Sequence, residues 1–253
     1  MTTAQSGGGD LQRGLELLWG LKEAPTRGPK PGLTLERIVS AGVSIADAEG
    51  LEALSMRRVA TELGVGTMSL YRYVPGKSEL LELMLDHVSE EANPGDLREL
   101  DWRAVLEAYG HGAWRMHLAH PWLLQVNLAR PLLGPRAMAG FDQVIGGLAA
   151  LGLSDQERLM LLGTVESHVA GSARAHVNAL LAAQRTGVSD EDFWDAQRPF
   201  LSQAMASGGF PALEQLDPGT FDVTGEQIFE FGLVRLLDGI GEFIKSREAA
   251  RGE

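Results

Sequence analysis

The chain has 253 residues, 44% of them hydrophobic, no cysteine and a formal net charge of -12. These values describe a globular chain and exclude a disulfide framework, a zinc ribbon, a thiol nucleophile and indiscriminate coating of nucleic acid. The opening residues MTTAQSGGGD lack the basic and apolar regions of a secretory signal. No apolar run reaches the roughly 18 residues that a membrane span needs, so a cytoplasmic chain with no membrane partner is expected.

Read in order, nearly every periodic segment predicts helix, with no alternating β-branched run to suggest a strand. Residues 1–9 form a Gly/Ser-rich tail. Leu11, Leu15, Leu18 and Trp19 share one face of a short helix. The Pro/Gly-rich PTRGPKPG, 25–32, is an extended basic linker, whose Arg27 and Lys30 either are solvated or lie along DNA. Thr34 caps a helix carrying Ile38, Ala41, Ile45 and Ala48, which Gly50 ends. After the segment 55–80, a helix presents Leu80, Leu81, Met84 and Val88 on one side. NPGDL, 93–97, is a breaker and a domain boundary.

Beyond it, Asp101 caps a helix from Trp102 to about Ala119, which His120-Pro121 breaks. A short apolar segment reaches Ala129, and Gly134-Pro135 starts a helix ending near Gly152. Ser154 to Glu157 and Thr224 to Gln227 both fit the capping-box pattern. The first opens a long helix to about Gln184 and the second opens the last helix, expected to end at Ser246, with a Ser189-capped helix between them. The expected fold is all-α with about ten helices. Residues 1–32 are tail, short helix and linker, 33–92 one domain and 97–247 a second.

The stretch SMRRVATELGVGTMSLYRYVPGKSEL, 55–80, has its own logic. Val59 and Ala60 face inward, Leu63 closes a helix, Gly64 permits a left-handed turn, Val65 plugs it and Leu70 packs back on Ala60. That order is helix-turn-helix geometry, in which the second helix can enter a major groove. Residues 26–78 hold seven Lys/Arg against five Asp/Glu, whereas the rest of the chain holds 15 against 29. The acid therefore lies outside this module.

LERIVSAGVSIADAEGLEALSMRRVATELGVGTMSLYRYVPGKSELLELML, and within it SLYRYVPGKSELL, resembles the DNA-binding domain of the TetR family of transcriptional repressors. The resemblance implies a homodimer on a palindromic double-stranded operator, released by a small-molecule inducer. It implies base readout by Arg57, Thr67, Met68 and Tyr71, and phosphate contact by Ser55, Ser69, Tyr73 and Lys77. Half-sites would lie about 34 Å apart, so a small shift of the heads breaks register.

AHPWLLQVNLARPLLGPRAMAGFDQVIGGLAALGLS, 119–154, resembles the C-terminal domain of the tetracycline-repressor branch. That likeness implies a four-helix dimer interface built from the two long helices. The last helix carries two apolar seams, one of Ile228, Phe231, Leu236 and Phe243, the other of Phe229, Leu233, Leu237, Ile240 and Ile244. A helix apolar nearly all round is buried on more than one side. Trp114, His117, Trp122, Gln125, Asn127, Phe141 and His168 are candidate ligand-pocket residues, combining aromatic walls with a few polar groups. Each taken alone is more often a core residue than a ligand contact.

His111, His117 and His120 have no completing carboxylate nearby in the sequence, so no metal and no cofactor is expected. No nucleophile motif, phosphate-cradling loop or HExxH is present, and Gly64-Val65-Gly66 follows no strand, so an enzyme is not expected. The alternative function is a ligand-binding helical dimer that does not read DNA.

Overall fold

The computed structural model describes residues 4–21, 32–93, 95, 97, 100–217, 220 and 222–252, with backbone alone at Gln5, Asp190 and Gly252. The basic linker with Arg27 and Lys30, and Pro94 and Asp96 of the predicted breaker, lie outside the described residues. Ten α-helices are described: α1 (Leu11–Leu18), α2 (Leu35–Glu49), α3 (Met56–Glu62), α4 (Thr67–Leu70), α5 (Lys77–Ser89), α6 (Trp102–Ala119), α7 (Pro135–Gly147), α8 (Asp155–Thr186), α9 (Asp190–Ala206) and α10 (Gly225–Gly252). The architecture is all-α, an N-terminal helix-turn-helix unit followed by a larger helical domain.

Side-chain caps set most helix starts. Asp10, Thr34, Ser55, Asp101 and Ser189 each accept a backbone N–H three residues on, satisfying a donor that the first helical turn leaves without a partner. Both predicted capping boxes are closed. Ser154 N–H donates to Glu157 Oε2 at 2.8 Å while Ser154 Oγ accepts Glu157 N–H at 3.3 Å. Thr224 and Gln227 exchange bonds of 2.8 and 3.1 Å.

Three expectations are corrected. The tail is not featureless: Ala4–Gln5 (β1) pairs in parallel with Val126–Asn127 (β2), a two-residue ladder that residue patterning is too short to reveal. The helix at Pro135 stops at Gly147, and a 3-10 turn follows over Ala149–Leu151. The last helix runs on to Gly252, past the Ser246 where its apolar pattern fades.

Two apolar cores result. The first gathers Ile38, Val59, Leu70, Val74, Leu80 and Met84 from the N-terminal helices. It also takes in Trp122, Leu123 and Val126, which reach across from the segment after α6. The second is built on Val105, Leu106, Val165, Val169, Phe229, Leu233 and Leu237, where α6, α8 and α10 pack together. Helix α5 leaves the first core and ends beside the second, so it joins the two parts mechanically.

Candidate DNA-reading surface and ligand cavity

In the helix pair, Gly64 adopts φ +64°, the left-handed conformation that glycine supplies at least cost. Val65 N–H donates to Ala60 O at 3.0 Å and closes the turn. Ala60 and Leu70 are buried together in the first core. Leu70 thereby fixes α4, and the opposite side of that short helix faces outward. Met68 is 78% exposed and Tyr71 42% exposed, while Thr67 and Ser69 are half-buried beside them. A thioether and a phenol thus stand open to water on the outward side of α4.

The flanking residues divide by what hydrogens they have free. Ser55 Oγ accepts Arg58 N–H at 3.1 Å and keeps its own O–H to donate. Lys77 Nζ donates to Leu51 O at 3.2 Å, which uses one of its three hydrogens. Arg57 is exposed and makes no ion pair among the described residues. Its neighbour Arg58 is bound to Glu49 and Glu62 at 2.6 and 2.8 Å and is structural. Tyr73 differs from the rest. Its Oη donates to Leu33 O at 3.0 Å, so its one hydrogen is spent and no donor remains for a phosphate.

Between α5, α6, α7 and α8 lies a cavity of about 260 Å³. Ser89, Ala92 and Asn93 line it from the end of α5 and the turn beyond, Tyr109, Ala113 and Met116 from α6. Ala137, Met138, Gly140 and Phe141 come from α7, with Leu133 just before it, and Leu162 and Glu166 from α8. Its wall is chiefly apolar, with one carboxylate. Tyr109 Oη donates to Glu166 Oε2 at 2.6 Å. His117 Nε2 stands 3.6 Å from Glu166 Oε1, too far for a full hydrogen bond. Neither His117 ring nitrogen has a hydrogen-bond partner among the described residues.

Burial pushes the Glu166 carboxyl up, but His117 and Tyr109 beside it more than offset that, and it sits below the usual carboxylate range. Burial, followed by the charge of Glu166, raises the Tyr109 phenol far above its ordinary value, so it stays a donor.

Of the residues proposed from sequence for the pocket, Phe141 lines this cavity and His117 stands behind Glu166. Trp114 stacks on Phe229 at 4.2 Å and 8° in the second core. His168 accompanies it, bound to Phe229 O at 3.0 Å. Gly232 makes room for that imidazole, since a Cβ there would lie 2.2 Å from the ring. Its small size thus serves a contact within the chain. Trp122 Nε1 donates to Asp47 Oδ1 at 2.8 Å at the junction of the two parts, and Gln125 and Asn127 are exposed. The missed residues, Tyr109 and Glu166, meet only after α6 and α8 cross, and 57 positions separate them.

The three histidines go to separate partners. His111 binds Glu230, His117 faces Glu166, and His120 bridges Asp47 at 2.7 Å and Glu91 at 3.0 Å. Among the described residues no group of three or more His, Asp or Glu side chains is placed to hold a metal. No described helix is long and apolar enough to cross a membrane.

The cavity is tied to the reading head through α5. Asp86 of α5 is buried, and its Oδ1 accepts the N–H groups of Arg136 and Ala137 at 3.1 and 3.0 Å. It caps the N-terminus of α7, the helix that supplies one cavity wall. Arg136 continues the junction to Glu36 of α2 at 2.9 Å and to Glu90 at 3.1 Å.

Comparison with known proteins agrees with this geometry. The description "Bacterial regulatory proteins, tetR family" matches residues 38–84, and "Tetracyclin repressor-like, C-terminal domain" matches residues 93–244. The HTH-type transcriptional repressor DrrR1 of Streptomyces coeruleorubidus is 50% identical over the whole of this chain and 92% of its own length. Among solved structures, apo ActR from Streptomyces coelicolor superposes with a TM-score of 0.69 at 29% identity, over 87% of this chain and 100% of that one. ActR in complex with actinorhodin gives 0.67 at 31% identity, over 86% and 99%. With both parts matched in order along one polypeptide, the chain belongs to the TetR family of bacterial transcriptional regulators, with a C-terminal domain of the tetracycline-repressor kind.

Proposed function

We propose that the chain is a repressor that binds a palindromic operator as a homodimer and leaves it when a small molecule enters the cavity between α5, α6, α7 and α8. The observation that carries this reading is the Asp86 cap. One helix, α7, both lines the cavity and is fastened by its first backbone N–H groups to α5, the helix that follows the reading head. A ligand that prefers a displaced α7 therefore displaces α5, and only such a preference can shift the equilibrium. Actinorhodin bound to the related ActR supports a small organic molecule as the kind of ligand.

Two copies are supported by the last helix. Its seam of Phe229, Leu233, Leu237, Ile240 and Ile244 is buried within the chain, whereas Ile228 is 55% and Phe231 70% exposed. Leu159, Met160 and Leu180 of α8 are exposed as well. An apolar seam of this extent on two long helices is what a second copy covers. The carry-over of base readout to Arg57, Thr67, Met68 and Tyr71, and of phosphate contact to Ser55, Ser69 and Lys77, rests on their exposure and free donors.

The test is binding to the DNA immediately upstream of the chain's own gene, followed by fluorescence anisotropy across a salt series, beside scrambled DNA. Tight binding to the upstream DNA alone, falling steeply with salt, is expected. Equal weak binding to both, repeated with operators selected from random DNA, overturns the reading.

A further inference from the structure

The cavity wall holds one ionised group, and the nearest group able to carry the opposite charge, His117, stands behind it 3.6 Å from Oε1 and does not line the cavity. No Lys or Arg lines it. Glu166 contributes the carboxylate, and 40% of its side chain remains accessible although the helix around it is packed. Glu166 is one of the residues that line the cavity. Its Oε2 is held by the neutral Tyr109 phenol at 2.6 Å, while Oε1 has no partner within hydrogen-bond distance. Behind it, His117 is 5% exposed with both nitrogens unpartnered. A polar group buried without partners is costly, and a charge more so. Oε1 is open to hydration, and an apolar molecule that covers it must displace that water.

The sign of the charge then sorts ligands. An anion would face Glu166 across an apolar wall in which no Lys, Arg or His side chain is exposed to it. A neutral aromatic would strip water from Oε1 and give nothing back. A cation would replace that water with a charge-assisted contact. We infer that Glu166 makes the cavity selective for an apolar, largely aromatic molecule that carries a positively charged nitrogen. The inference rests on the cavity being the ligand site and adds the charge class of the ligand to that reading.

The test is equilibrium dialysis of the full-length protein, without DNA and at mildly alkaline pH, against three molecules of one shape: the cation N-methylacridinium, uncharged acridine and the anion acridine-9-carboxylate. The wild type is expected to bind the cation at least about tenfold tighter than acridine, and the carboxylate weakest. Glu166→Gln should remove the preference for the cation while still binding acridine, which also reports that the variant cavity is intact. Tyr109→Phe keeps the carboxylate and should keep the preference. Ala137→Trp, which fills the cavity, should abolish all binding.

Equal binding of the three molecules, or a cation preference that survives Glu166→Gln, overturns the charge selectivity and leaves the cavity reading standing. Binding that Ala137→Trp does not diminish, or no binding of any of the three, overturns the cavity reading and the selectivity with it.

Discussion

Asp86 and Arg136 meet where the two parts of the molecule join: the buried Asp86 carboxylate accepts the Arg136 backbone N–H at 3.1 Å. The same oxygen takes Ala137 N–H at 3.0 Å, so α7 has its N-cap on another helix. Gly134 permits this closeness, since a Cβ there would lie 2.3 Å from Asp86 Oδ1. Asp86→Ala is expected to lower stability by about 0.5–2 kcal/mol, the range for a lost cap. Hydrogen exchange should then accelerate at Arg136 and Ala137 while the amides within α8 keep their protection. Gly134→Ala should produce the same local pattern by forcing the partners apart. Unchanged protection at those two amides in both variants would show that the cap does not hold α7.

The reading head makes separable predictions for three neighbouring residues. Arg57→Ala should weaken binding to the upstream DNA by about 1–3 kcal/mol and leave scrambled DNA little affected. Tyr71→Ala should do likewise, because its exposed ring has no core to support. Tyr73→Phe should leave DNA affinity within about twofold, since its hydrogen is already given to Leu33 O. It should instead cost about 0.5–1.5 kcal/mol of stability, the net value of an ordinary hydrogen bond. Anisotropy titrations paired with urea unfolding separate these. A Tyr73→Phe variant of unchanged stability that loses DNA binding would reverse the assignment.

The exposed seam on α10 bears on assembly. Phe231 has its ring 5.8 Å from the Arg235 guanidinium and otherwise faces outward. Phe231→Asp should shift sedimentation from dimer to monomer at micromolar concentration while helical circular dichroism is retained, because no intrachain core depends on this ring. Dimers that survive the substitution, or a loss of helix that accompanies monomer formation, would count against the seam as the interface.

Acid should act on the cavity through Glu166. Its folded-state pKa is depressed, by His117 and Tyr109 against the opposing effect of burial. Between the folded value and the unfolded one the unfolded chain binds more protons, so stability rises with pH across that window. The contribution is fully present above the unfolded carboxylate value and disappears as pH falls through the folded one. Glu166→Gln should therefore flatten the acid limb of the unfolding profile and leave the neutral region parallel to wild type. A carboxyl signal for Glu166 that titrates above the ordinary range, in carbon-detected magnetic resonance, would contradict the assigned direction.

What could be read in the sequence follows the range of the interactions concerned. Helix starts depend on residues three apart, and the caps read at Thr34, Asp101, Ser154, Ser189 and Thr224 are present in the structure. The turn at Gly64 is equally local. Cavity walls are long-range: Tyr109 and Glu166 look like any polar residues on amphipathic helices until α6 and α8 are packed. The same distance hides why Trp114 and Trp122 are occupied elsewhere, one stacked on Phe229 and the other bonded to Asp47. A large aromatic signals burial in a sequence, but its partners are chosen by the fold.

The least legible part, the N-terminal arm, gives the last prediction. Ser6 is 1% exposed, and its Oγ donates to Glu82 Oε2 at 2.8 Å. Gly7 N–H donates to Oε1 of the same carboxylate at 2.7 Å. Glu82 is itself buried on α5, one helical turn before Asp86. Among the described residues these two donors are all that satisfy it. Meanwhile β1 pairs with β2, beyond α6, so the arm runs from the helical domain to α5 and holds the two together. Removing residues 1–9 should strand a buried carboxylate, at a cost of about 1–3 kcal/mol or more. A structural strap and a merely sticky tail differ in how that cost responds to Glu82. In the truncated chain Glu82→Gln should recover part of the lost stability, because an amide is cheaper to bury unpaired than a carboxylate. In the full-length chain the same substitution should be destabilising. Opposite signs in the two backgrounds, measured by urea unfolding as a double-mutant cycle, are the expected result. Equal effects in both would mean that the arm and Glu82 are not coupled in solution.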